Sequence, residues 1–115
     1  VQTFLTKERA ILKVCLIHEI EKSPSYGWAY HSTIAEQIPG FKPSKSEIYK
    51  SLHELAAADI VKRSRRKRND EGLQEIIVYT FTSGGYAKAQ RYKKLVYDDL
   101  IRSQTMIKHF LSTIF

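Results

Sequence analysis

Three amphipathic helical segments, two β-rich stretches around a polar turn, and a final stretch of about thirty residues without Gly or Pro predict an α+β fold. The first helix is expected over residues 6–21, where Ala10, Ile11, Val14, Ile17 and Ile20 recur at three- and four-residue steps and share one face. Ser23, Pro24, Ser25 and Gly27 supply turn chemistry behind it. Trp28, Ile34, Ala35 and Ile38 then mark a shorter helix ending near Pro39 and Gly40, with Tyr26, Trp28 and Tyr30 expected in the core.

After the connector Phe41, Lys42 and Pro43, the Ser44 hydroxyl can accept from the backbone three residues on while Glu47 reaches back. That reciprocal pattern is a capping box, and it opens a third helix. Ile48, Leu52 and Leu55 form its packing face, which leaves Ser46, Lys50, His53 and Ala57 on the free side. Residues 60–66 and 73–81, rich in Ile, Val, Tyr and Thr, flank Asn69, Asp70 and Gly72 and read as a hairpin. Ser83, Gly84 and Gly85 break the second strand, and one long helix follows. Within it Val96, Leu100, Ser103, Ile107, Phe110 and Ile114 alternate four- and three-residue steps, a heptad seam interrupted by Ser103.

Three helices followed by a hairpin is the order of the winged helix, a helix-turn-helix variant whose third helix enters the major groove. The expected organisation is a single domain, with residues 1–82 as the winged-helix DNA-binding region and 83–115 as a C-terminal dimerisation helix. A length of 115 residues leaves little room for a second, catalytic domain.

Charge points the same way. Nineteen Lys and Arg against twelve Asp and Glu give a formal charge of +7, which favours a polyanionic partner. Six of those cations, Lys62, Arg63, Arg65, Arg66, Lys67 and Arg68, fall within seven residues of the hairpin arm. Neutralising phosphates there would release counterions and make binding salt-dependent. At the start of the third helix, free backbone N–H groups and the positive dipole end combine with Ser44, Ser46, Lys42 and Lys45, so a phosphate fits. Lys50, one turn further, can reach a base edge. Double-stranded DNA is therefore the expected partner; the bland alternatives are a solvated helix face and a solubilising charge run.

The last helix asks for a different partner. Val96, Leu100, Ile107, Phe110, Leu111 and Ile114 make an apolar face too wide for a lone terminal helix, so it either folds back on its own domain or pairs with another chain, and a homodimer through it is the favoured expectation. A twofold pair would set two reading helices roughly 34 Å apart and predict an approximately palindromic site.

Catalysis is not expected. His18, His31, His53 and His109 are scattered without metal-ligand spacing, and the chain has no phosphate-binding Gly loop or nucleophile elbow, so neither a metal nor a cofactor is expected. Cys15 stands alone among apolar residues and is expected to be buried and inert. No apolar run reaches the roughly 18 residues needed to span a bilayer, so no membrane partner and a cytoplasmic location are expected.

The residues themselves resemble those of the replication terminator proteins of Gram-positive bacteria. The resemblance rests on Phe4-Leu5 with Lys7, Arg9 and Ala10; on Tyr26-Gly27; on Gly40-Phe41-Lys42-Pro43; on Glu47 with Tyr49; on Ser51-Leu52-His53-Glu54-Leu55; on Leu73-Gln74-Glu75; and on Tyr92-Lys93-Lys94. These stretches run in order through nearly the whole chain. They imply a homodimer joined by its final helices, two dimers on one terminator site, arrest of a replication fork from one direction, and a contact with the replicative helicase. By position, the resemblance puts DNA contacts on Lys7, Arg9, Lys42, Ser46, Lys50, Lys62 and Arg65, and Tyr49 is counted with them. Ser46 stands where the family has Thr, and Lys50 where it has Arg, which removes a planar bidentate donor and implies a different preferred sequence. Ser23 replaces an acidic position tied to the helicase contact. A second reading stays open, a PadR-like transcription repressor, which shares the winged helix and a terminal dimer helix.

Overall fold

The computed structural model describes residues 8–23, 27–67 and 75–115, so the expectations for Lys7, Tyr26, Arg68 and the 69–72 turn lie outside the described residues. The elements run α1 (Glu8–Lys22), α2 (Ala29–Gln37), α3 (Lys45–Ala57), β1 (Val61–Lys67), β2 (Glu75–Phe81) and α4 (Gly85–Ile114). This is a winged helix with a long terminal helix.

Helix α1 sits at the centre. Its Leu12, Leu16, Ile17 and Ile20 are buried against Tyr30 and Ile34 of α2 and Ile48, Leu52 and Leu55 of α3. Each such side chain contributes about 1.5–3 kcal/mol of burial. The expected stripe is only partly the one that packs: Ile17 and Ile20 belong to this core, whereas Ala10, Ile11 and Val14 are half-buried. The reason is that α1 packs on α3 and also on α4. A helix held between two neighbours needs two apolar faces, and Ile11, Val14 and Cys15 belong to the one turned toward α4.

Helix α3 begins as its capping residues dictate. The Glu47 N–H donates to Ser44 Oγ at 3.1 Å, and the Ser44 N–H donates to Glu47 Oε1 at 3.0 Å. Strands β1 and β2 pair antiparallel, from Val61 opposite Phe81 at the root to Lys67 opposite Glu75 toward the tip. β1 starts at Val61 instead of Ile60 because Ile60 is occupied at the junction below the hairpin, where its N–H donates to the Leu55 carbonyl and its own carbonyl accepts from Thr82.

That junction ties three elements together. Thr82 Oγ1 donates to the Asp59 carbonyl at 2.7 Å, the Gly85 N–H donates to the Thr82 carbonyl at 2.8 Å, and the Lys88 ammonium lies 3.1 Å from the Asp59 carboxylate. Gly84 caps α4 at φ 77°, and a Cβ on Gly85 would stand 2.1 Å from the Ile60 carbonyl oxygen. The two glycines thus serve the entry of α4 and its close approach to the hairpin root.

The core continues past residue 82. Ala89 and Val96 of α4 are buried, Tyr92 packs beside them, and Glu21 of α1 accepts from Gln90 at 2.7 Å and pairs with Lys93 at 3.1 Å. Beyond Leu100 the helix leaves the body, and every residue from 104 to 115 is exposed. The molecule accordingly measures 62 × 30 × 21 Å.

Candidate nucleic-acid interface

The capped end of α3 presents Lys42, Ser44, Lys45 and Ser46, all exposed, with Lys50 exposed one turn along. Lys42 shares a shallow hollow of about 200 Å³ with Glu8, Gly40, Phe41, Pro43 and Glu47, which brings the start of α1 beside the start of α3. The capping bonds from the Ser44 backbone and hydroxyl hold the Glu47 carboxyl below its ordinary value, and the positive charges of Arg9 and Lys50 add to this. A low value keeps Glu47 ionised and the cap closed.

Arg9 is partly engaged elsewhere. Its Nη1 lies 2.9 Å from Glu54 Oε1, while Lys13 Nζ lies 2.7 Å from Glu54 Oε2, so two cations of α1 grip α3. Lys13, with help from Arg9, holds the Glu54 carboxyl below its usual range. One contact uses one of the five guanidinium donors.

The free face of α3 and the hairpin meet at a concave corner. Tyr49 and His53 from α3 and Arg63, Ile76, Ile77 and Tyr79 from the hairpin line a hollow of about 280 Å³. Arg63 and Arg65 stand opposite Tyr79 and Ile77 on one face of the ribbon, and Lys62 and Arg66 opposite Thr80 and Ile76 on the other. Burial pushes the Tyr79 hydroxyl up, and the Arg63 guanidinium bonded to it works in the opposite sense. Lys62, Arg63, Arg65, Arg66 and Lys67 are all exposed, and among the described residues none of the five is ion-paired to a carboxylate. Such a run of cations beside a capped helix end suits a polyanion, and the hydrophobic walls between them suit the edge of a base or sugar.

Trp28 departs from its expected place. It is 40% exposed, whereas Tyr30 is buried at 4%. The reason lies one residue earlier: Gly27 is tucked against α3 so closely that a Cβ would meet Leu52 Cδ1 at 2.8 Å and Tyr49 Cε1 at 2.9 Å, so the space beneath the first turn of α2 is already filled. Trp28 instead stacks on His31, centroids 4.4 Å apart, with Lys45 Nζ 5.6 Å from its ring centre. Sequence reasoning missed this group because its members come from two helices.

A second, apolar surface lies elsewhere. Ile11, Val14, Cys15 and Ile38 face Val96, Tyr97 and Leu100 across a groove of about 590 Å³ between α1 and α4. Cys15 is thus half-buried in a groove wall instead of enclosed in the core, and its thiol is pushed up by burial and then by Glu19. The groove continues into a hollow along Leu100, Ile101, Ser103, Gln104 and Ile107. Of the expected interface residues, Val96 is 8% exposed and covered by its own core, Leu100 is half-buried, and Ile107, Phe110, Leu111 and Ile114 are exposed. Among the described residues no group of three or more His, Cys, Asp or Glu comes together as a metal site, and no helix is long and apolar enough to cross a membrane.

Comparison with known proteins adds to this geometry. The family profile described as "Replication terminator protein" matches residues 3–115. The replication termination proteins of Bacillus subtilis (strain 168) and Bacillus vallismortis are each 36% identical over 111 residues, covering 95% of this chain and 89% of theirs. Among solved structures, a Streptococcus transcriptional regulator superposes with a TM-score of 0.67 at 22% identity, over 93% of this chain and 99% of that one. A PadR-like transcriptional regulator from Bacillus cereus gives 0.64 at 16% identity, over 91% and 95%. At these identities the two structures speak for the fold alone.

Proposed function

Because the chain belongs to the replication terminator protein family, we propose that it binds double-stranded DNA as a homodimer and arrests replication forks at terminator sites from one direction. The observation that carries this reading is the concave corner where the free face of α3 meets the cationic hairpin. Lys42, Ser44, Lys45 and Ser46 hold phosphates at the helix end, Lys50 and Tyr49 face the groove, and Lys62, Arg63, Arg65, Arg66 and Lys67 follow the backbone alongside. Lys7 and Arg68 extend the same two cationic groups in sequence. Arg9 contributes as far as its pairing with Glu54 leaves donors free.

Dimerisation is supported by the seam of α4. Val96 and Leu100 start it in the groove against α1, and Ile107, Phe110, Leu111 and Ile114 continue it beyond the body, where the described residues leave them exposed. A second copy covers that stripe and doubles the DNA contacts. Two such dimers occupy one terminator site, and polarity arises where the replicative helicase meets them from one side. Likeness in fold to PadR-like regulators does not favour promoter control over termination, while 36% identity over 95% of the chain favours termination.

Footprinting on the protein's own replicon locates the site, and a fork-arrest assay with that site in both orientations decides the mechanism. The expected result is a stall in one orientation. Passage of forks in both orientations, with binding intact, would sink the termination reading.

A further inference from the structure

In a helix-turn-helix the first helix of the pair crosses the DNA backbone while the second inserts its N-terminal residues in the groove. Here those are α2 and α3, and Trp28, the residue that leads into α2, carries an exposed indole. Three contacts fix where that indole stands. Gly27 is clamped against Tyr49 and Leu52, so the backbone just before Trp28 cannot drift from α3. His31 stacks on the ring within 20° of parallel. Lys45, the first residue of α3, brings its ammonium over the same ring at 5.6 Å.

An indole held in the open by a cation and an imidazole is arranged for an occupant other than the core. Its ring offers apolar area and its N–H can only donate; an ammonium is likewise donor only. Such a surface suits a group rich in acceptors and flanked by apolar carbon, and a deoxyribose with its phosphate is one. We propose that Trp28, braced by His31 and joined by Lys45, is a sugar-phosphate contact on the strand bordering the groove that α3 enters. The proposal rests on the DNA-binding reading above and extends it to α2.

Trp28 is the only tryptophan of the chain, so intrinsic emission reports this position alone. The full chain is titrated with a dye-labelled, mixed-sequence duplex two helical turns long at low ionic strength, with anisotropy followed for binding and acrylamide quenching followed for Trp28. The duplex is expected to shield Trp28 from acrylamide. Trp28→Leu is expected to weaken binding about threefold to tenfold, Trp28→Phe to recover part of the loss, and Lys45→Gln to flatten the salt dependence by about one phosphate. Circular dichroism and melting confirm that each variant is folded. If the duplex binds yet leaves quenching unchanged, or if folded Trp28→Leu binds as tightly as the parent, the contact is overturned while DNA binding stands. Shielding that follows protein concentration instead of duplex would assign the ring to a protein contact and also overturn it. Failure of the parent to bind any duplex is a different result, because it removes the DNA reading itself.

Discussion

The hairpin arm and the outer half of α4 both project from the same small core, yet they are exposed for opposite reasons. β1 carries Lys62, Arg63, Arg65, Arg66 and Lys67, which water solvates well and which repel one another. The outer α4 carries Ile107, Phe110, Leu111 and Ile114, which water solvates poorly; Phe110 alone is 52% exposed. An unfilled cationic surface calls for a polyanion, and its binding should weaken as salt rises. An unfilled apolar stripe calls for more apolar surface, and its binding should depend on protein concentration and hardly on salt. The two projections are thus suited to partners of opposite kinds.

The sharpest way to break this contrast is to put charge on the apolar one. Phe110→Asp, or Ile107→Asp, should raise the dimer dissociation constant by about a hundredfold or more, since it removes a side chain that a second copy would bury and puts a carboxylate in its place. Sedimentation measures it, and melting of the winged-helix body should hardly change. A variant that stays dimeric would mean the stripe is not the interface. Next in size, Arg65→Ala with Arg66→Ala should weaken duplex binding about tenfold and reduce the slope of log affinity against log salt by about 0.9 for each phosphate no longer neutralised. The dimer should be untouched. Lys50→Ala belongs beside it: the expected loss is discrimination among sequences, seen by competition with altered sites, more than overall affinity.

Smaller effects test how the reading helix is held. Ser44→Ala should cost about 1 kcal/mol of stability by opening the cap of α3. Glu47→Gln keeps a side-chain acceptor for the Ser44 N–H and loses only the charge, so its cost should be smaller and pH-dependent. The folded Glu47 has a lowered pKa, so its contribution is present above the ordinary carboxylate value and is lost as pH falls through the lowered one. The melting difference between parent and Glu47→Gln should therefore be full near neutrality and shrink at acid pH. Smallest of all, Glu54→Gln should shift stability by less than about 1 kcal/mol, because the Arg9 and Lys13 pairs it breaks are partly exposed. It also frees Arg9, so tighter duplex binding by that variant would place Arg9 at the DNA.

How far a feature is legible in the sequence depends on whether it is local. The capping box of Ser44 and Glu47 is written within four residues and is formed as read. The heptad stripe from Val96 to Ile114 needs only helical geometry, so it is legible without knowing any neighbour. The face of α1 is not, because apolar residues lie on both its sides, and only the positions of α3 and α4 decide that Leu12 and Leu16 go to the core while Ile11 and Val14 go to the groove. The chemistry of Trp28 points to the interior, and the close approach of Gly27 to α3 leaves no room there. The Arg9 to Glu54 pair spans 45 positions, and nothing in either local pattern announces it.

The bonds among Asp59, Ile60, Thr82 and Gly85 have a mechanical consequence. At about 1.5 Å per residue, the thirty residues of α4 make a lever about 45 Å long, rooted at that junction and held along its inner half by the burial of Ala89 and Val96. A tilt of about 5° there would carry the tip sideways by roughly 4 Å, more than the slack a packed side chain tolerates. If two copies join through these helices, the stiffness of this root would set how accurately two hairpins are held at one fixed span, and softening it would blur that span without altering any residue of the cationic surface.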